Sequence, residues 1–148
     1  MTLLEVEDLQ VSFNTPDGVV QAVRGISYHI DAGQTLGIVG ESGSGKSVST
    51  QTIMGLTRGA QISGRAVFEG EDLLTASPDD MRAIRGAKIG MIFQDPLTSL
   101  HPLYKVGWQI TEMIRAHDKS VTKAAATERA VELLGHVGIP RQIGRAHV

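Results

Sequence analysis

One stretch constrains this chain more than any other: G-E-S-G-S-G-K-S, Gly40 to Ser47, directly after the apolar run Leu36-Gly37-Ile38-Val39. It fits G-x-x-x-x-G-K-[ST], the phosphate-binding loop, in which successive backbone N–H groups surround phosphate oxygens and a lysine reaches the terminal ones. The pattern calls for a buried strand before the loop and a helix after it, and Gln34 to Val39 and Lys46 to Leu56 read that way. Each residue type has a chemical reason. Gly43 and Gly45 remove Cβ atoms where the backbone wraps an anion, Lys46 is a cation able to follow β- and γ-phosphates, and the Ser47 hydroxyl can ligate Mg²⁺. The helix that starts there points its positive end at the phosphates. A Gly/Ser-rich surface loop with an incidental lysine would spell the same letters, so the flanking elements carry the distinction.

At 148 residues the chain suits one domain with a real core. A net charge of −2 with both signs interspersed gives no basic stripe, so no nucleic-acid partner is indicated. Cysteine is absent, which removes disulfides, thiolate zinc sites and a cysteine nucleophile together. The start, M-T-L-L-E-V-E-D, is acidic where a secretory leader is basic and then apolar, and no apolar run reaches the roughly eighteen residues of a membrane span. The expectation is a cytoplasmic product that does not itself cross a bilayer.

Leu4, Val6, Leu9, Val11 and Phe13 fall at mostly two-residue spacing, Val19 to Ile30 is rich in β-branched residues, and Thr15-Pro16-Asp17-Gly18 stands between them. That is a hairpin signature. Ala66 to Phe68, framed by Gly64 and Gly70, predicts a further strand. Ser77-Pro78-Asp79-Asp80 predicts a helix start, with a serine cap, proline at the first helical position and carboxylates near the positive end; Gly86 closes it. Ile89 to Phe93 reads as a buried strand delivering Gln94 to its carboxyl end, where open α/β sheets place ligands. Beyond the proline-marked loop Asp95 to Pro102, Val106, Ile110, Met113 and Ile114, and then Ala126, Ala130, Leu133, Leu134 and Val137, predict two amphipathic helices, the second stopped by Gly138 and Pro140. Their stripes read as core or inter-subunit packing.

Other chemistry is thin. The five histidines lack metal-ligand spacing, and Ser42, Ser44 and Ser49 lie in no G-x-S-x-G elbow, which rejects a serine hydrolase. Trp108 lies in a predicted helix with no role assigned. Phe13, ending the first strand, reads either as core or as an aromatic face able to stack on a purine base.

With Phe13, Gly40 to Ser47 and Gln94 in that order, the chain resembles the ATP-binding subunit of ABC transporters. Within that family it is most similar to the subunits of oligopeptide and dipeptide importers, through L-G-I-V-G-E-S-G-S-G-K-S from Leu36 and I-F-Q-D-P-L-T-S-L-H-P from Ile92. One position departs: His101 stands where such importers usually have asparagine. The resemblance covers Leu3 to about Arg141 and implies an α/β P-loop NTPase fold of the ABC nucleotide-binding type, with an antiparallel β subdomain, truncated before the signature motif. It implies that Phe13 stacks on adenine and that the loop from Gly40 through Glu41, Ser42, Gly43, Ser44, Gly45, Lys46 and Ser47 to Val48 holds ATP, with the amides of Gly43 to Val48 on the phosphates. Lys46 would stabilise the β- and γ-phosphates, and Ser47 and Gln94 would bind Mg²⁺. The implied partners are transmembrane permease subunits, a second ATP-binding subunit as homo- or heterodimer and, indirectly, a peptide-binding protein, at the cytoplasmic face of the membrane.

The family's hydrolytic machinery also uses an L-S-G-G-Q signature and an apolar strand ending in Asp-Glu, and neither occurs in this sequence. The chain is therefore expected to be the N-terminal part of such a subunit over residues 1–142, able to bind ATP and without turnover alone. Ile143 to Val148 have no counterpart in the family pattern and are expected to be a non-native tail. A P-loop ATPase outside transport is the remaining alternative, and the Gln94-Asp95-Pro96 stretch followed by Thr98-Ser99 favours transport over it.

Overall fold

Turn chemistry at Thr15-Pro16-Asp17-Gly18 sets the frame of the first part of the chain. In the computed structural model, which describes residues 1–95 and 99–139, β1 (Thr2–Thr15) pairs antiparallel with β2 (Gly18–Asp31), and the Thr15 hydroxyl donates to the Gly18 carbonyl across the turn at 2.8 Å. β3 (Ala60–Phe68) adds to the other edge of β1, and the short β4 (Glu71–Asp72) adds to β3, giving the order β2-β1-β3-β4. α1 (Lys46–Ile53) and α2 (Pro78–Ile84) complete the compact unit Met1–Arg85. Its core is Val6, Leu9, Val11, Val23, Ala66 and Phe68 from the sheet, joined by Ile53, Met54, Met81 and Ile84. α2 begins as its sequence predicts: the Ser77 hydroxyl accepts from the Asp80 N–H, with Pro78 at the first position.

The hairpin ladder is not uniform. Ser12 pairs with Gln21 and Val11 with Val23, so Ala22 is the extra residue of a bulge. A bulge re-aims the backbone locally, and this one faces the phosphate loop.

The second compact unit begins at Gly86. In it α3 (Val106–His117) packs on α4 (Lys123–His136), which Thr122 caps by accepting from the Ala125 N–H. α4 buries Ala126, Ala130, Val131 and Leu134; of the rest of the predicted stripe, Leu133 is half-buried and Val137, just past the helix end, is exposed. α3 differs: it buries Gly107 and Thr111, while Met113 is exposed. The Thr111 hydroxyl donates to the Gly107 carbonyl at 2.6 Å, which lets a polar residue sit in the packed face. Trp108 is half-exposed and stacks on Tyr104, whose ring also meets His101, each at 4.8 Å between centroids. No helix among the described residues is long and apolar enough to cross a membrane. The expected tail 143–148 lies outside the described residues, as do Pro96 to Thr98.

Two apolar runs expected to be buried strands are not strands. Residues 34–39 and 90–93 join no ladder among the described residues, and Val39 and Ile92 are 93% and 96% exposed. An apolar sequence favours extended backbone, but a strand exists only once its N–H and C=O groups are paired, and a parallel strand is buried only when both faces are covered. Here neither condition is met. The predicted helix Lys46 to Leu56 also ends early, at Ile53, because Gly55 turns the chain with φ +61. Leu36, Ile38 and Phe93 share the exposure, so the 148-residue chain is expected to associate with rising concentration and to bind a hydrophobic dye. Sedimentation and dye titration check this; a strictly monomeric chain that binds no dye would contradict it.

Candidate nucleotide site

The loop Gly40 to Ser47 rests on the hairpin through one contact. Gly45 caps α1 at φ +89, and a Cβ there would stand 2.2 Å from the Ala22 carbonyl oxygen and 3.3 Å from Val23 Cγ2. Only glycine fits, and the reason is packing on the bulge as well as access for an anion. Gly43, also at positive φ, has open space around its missing Cβ.

With no side chain on Gly45, nothing caps the start of α1. The Ser49 N–H is the first to reach back along the helix, to the Gly45 carbonyl at 2.8 Å, so the N–H groups of Lys46, Ser47 and Val48 have no intrahelical acceptor. They form a concentrated donor site at the positive end of the helix, suited to phosphate. Glu41, Ser42, Gly43 and Ser44 are exposed around it, and the loop is braced by the Ser44 N–H donating to the Glu41 carbonyl at 3.2 Å.

Lys46 is folded back over this loop. Its Nζ donates to the carbonyls of Gly40 at 2.6 Å and Glu41 at 2.7 Å and to Ser44 Oγ at 3.3 Å. The ammonium is thus held on the loop Gly40 to Ser44 itself. The Ser47 side chain is exposed on the first turn; its hydroxyl and the Gln94 amide oxygen are hard oxygen donors of the kind Mg²⁺ accepts.

Phe13 is half-buried in β1, paired with Val20 on β2 and Ala60 on β3. Val20 lies two residues before Ala22, so the hairpin that seats Gly45 also carries Phe13. Gln94 is exposed and belongs to the second unit, after the unpaired run 90–93.

His101 has a structural explanation that its sequence lacks. Its Nδ1 accepts from the Leu103 N–H at 3.3 Å, the bond to the backbone two residues on that an asparagine side chain makes in an Asx turn. Gln109 fixes the same residue, accepting from its N–H at 2.8 Å and donating to its carbonyl at 3.0 Å. Sequence reasoning also missed Arg85, described below; a lone arginine after a short helix gives no signal of where its fork lands.

Comparison with known proteins agrees with this architecture. The oligopeptide transport ATP-binding protein OppD of Bacillus subtilis (strain 168) is 57% identical over 141 residues, covering 93% of this chain and 39% of the relative. The dipeptide transport ATP-binding protein DppD of Lactococcus lactis subsp. cremoris (strain MG1363) is 50% identical over 140 residues, covering 93% and 40%. The chain therefore spans about two-fifths of the length of these relatives. Among solved structures, the dimeric post-hydrolysis state of the ATP-binding cassette MJ0796 with ADP and Pi shares the fold, with a TM-score of 0.78 at 22% identity over 89% of this chain and 56% of that one. CbiO1 from Clostridium perfringens, part of the ABC transporter complex cbiONQ, has a TM-score of 0.63 at 27% identity over 93% and 51%. The description "ABC transporter" is matched over residues 23–146, spanning the phosphate loop and all four helices, and the chain belongs to the ABC transporter family.

Proposed function

We propose that the chain is the ATP-binding part of a subunit that energises import of peptides, or similar small solutes, across the cytoplasmic membrane. The observation that carries this reading is the start of α1, which no side chain caps, with the Lys46 ammonium folded over the loop that leads into it. Kinship with oligopeptide and dipeptide transport ATP-binding proteins supports the solute class. In this reading the amides of Gly43 to Val48 and Lys46 bind the phosphates and Phe13 stacks on adenine. Ser47 and Gln94 hold Mg²⁺, which when bound neutralises charge on the β- and γ-phosphates. The subunit sits at the cytoplasmic face of the membrane, pairs with a second ATP-binding subunit and transmits closure around ATP to permease subunits through the Gln94 segment. A peptide-binding protein joins the system indirectly.

For the 148-residue chain alone the expectation is binding without turnover, because the sequence holds neither L-S-G-G-Q nor an Asp-Glu pair. Titration of the dilute, monomeric chain with ATP, AMP and a dipeptide tests this. ATP is expected to bind in saturable fashion and to outcompete AMP, the dipeptide to have no effect, and phosphate release to stay at background. Equal binding of ATP and AMP, or phosphate release abolished by Lys46→Ala, would contradict it.

A further inference from the structure

α1 has eight residues, too few to hold as a helix unaided, so its aim is set by what grips its ends. At the amino end Gly45 sits on Ala22. At the carboxyl end the Gly55 N–H donates to the Thr52 carbonyl and the Leu56 N–H to the Gln51 carbonyl, both at 2.8 Å, a Schellman closure. The carbonyls of Met54 and Gly55 are then taken by one side chain from far along the chain. Arg85 Nε donates to the Met54 oxygen and Arg85 Nη2 to the Gly55 oxygen, each at 2.8 Å. A Cβ on Gly55 would stand 2.6 Å from Nη2, so this fork needs glycine beneath it. The guanidinium also places positive charge at the negative end of the helix that aims its positive end at the phosphate loop.

Resting on the reading that this loop takes ATP, we propose that Arg85 is a positioning residue for the nucleotide. By clamping the carboxyl end of α1 it fixes the direction of the Lys46, Ser47 and Val48 amides. It is also the last residue of its unit, and the chain runs directly from it through Gly86 to Gln94. A shift of α1 on binding phosphate is thereby passed to the start of that segment.

The test compares ATP with adenosine on the full 148-residue chain, diluted until monomeric, with circular dichroism showing that each variant is folded. Arg85→Met is expected to weaken ATP about tenfold and leave adenosine unchanged, because only the phosphates use the start of α1. Arg85→Lys, which keeps the charge and loses the fork, is expected to fall between. Gly55→Ala, which displaces the fork with the arginine intact, is expected to act like Arg85→Met and serves if that variant does not fold. ATP-induced slowing of amide exchange at residues 86–90 is expected in the wild type and lost in both variants. A merely structural role would lower stability and leave the ratio of ATP to adenosine affinity unchanged; that ratio, unchanged in the folded variants, would overturn the proposal. Lys46→Ala separates the two ideas. If it leaves ATP affinity intact, the ATP reading itself fails; if it removes ATP binding while the Arg85 and Gly55 variants do not alter it, only the positioning role fails.

Discussion

Replacing Gly45 by alanine is expected to destabilise the Met1–Arg85 unit by more than about 3 kcal/mol and to remove nucleotide binding. Two effects add. The backbone at φ +89 is one an L-residue with a side chain occupies only at a cost of about 1–2 kcal/mol. The new Cβ must also enter space held by the Ala22 carbonyl oxygen 2.2 Å away, and that oxygen belongs to backbone held on both sides by the paired residues Gln21 and Val23, so the loop has to move instead. Gly43→Ala is the informative contrast. At φ +82 it meets the same conformational penalty but nothing lies within 4 Å of its Cβ, so the expected loss is only about 1–2 kcal/mol. Thermal or urea unfolding of the pair reads the difference, and equal losses in the two variants would show that Ala22 does not confine Gly45.

Lys46→Ala is expected to leave stability nearly unchanged and to weaken ATP at least tenfold, on the order of 1.5–3 kcal/mol for hydrogen bonds to a charged group. The asymmetry follows from where the lysine spends its donors. Its bonds to the Gly40 and Glu41 carbonyls and Ser44 Oγ brace an exposed loop that water also satisfies, so losing them costs little without ligand. In the proposed complex with triphosphate, the same ammonium would face the terminal charges and nothing would replace it. Calorimetric titration beside a melting curve checks both halves. A large fall in melting temperature with unchanged affinity would make Lys46 a structural brace only.

What could be read from the sequence was whatever local chemistry writes. The hairpin is spelled by alternation and a Pro-Asp-Gly turn, α2 by its serine cap and N1 proline, and the phosphate loop by glycines and lysine at fixed spacing. The non-local part was hidden. Apolar composition at Leu36 to Val39 and Ile89 to Phe93 predicts strands, yet strand formation depends on a partner ladder that the described residues do not supply. The Ala22 bulge left no mark, since an alanine between Gln21 and Val23 looks like any strand residue; it nonetheless decides why Gly45 must be glycine. Met113 was expected inside α3, whereas the contact runs through Gly107 and Thr111, because close helix packing there favours small residues and a hydroxyl that satisfies itself on the helix backbone. Arg85 bridges thirty residues to the end of α1, a distance no local pattern spans.

The amides at the start of α1 are expected to hold the phosphate. Residue-resolved amide hydrogen exchange with and without saturating ATP and Mg²⁺ tests it most directly. Slowed exchange at the Lys46, Ser47 and Val48 N–H groups, absent in Lys46→Ala, is the expected result; unchanged exchange at all three under saturating ATP would contradict it.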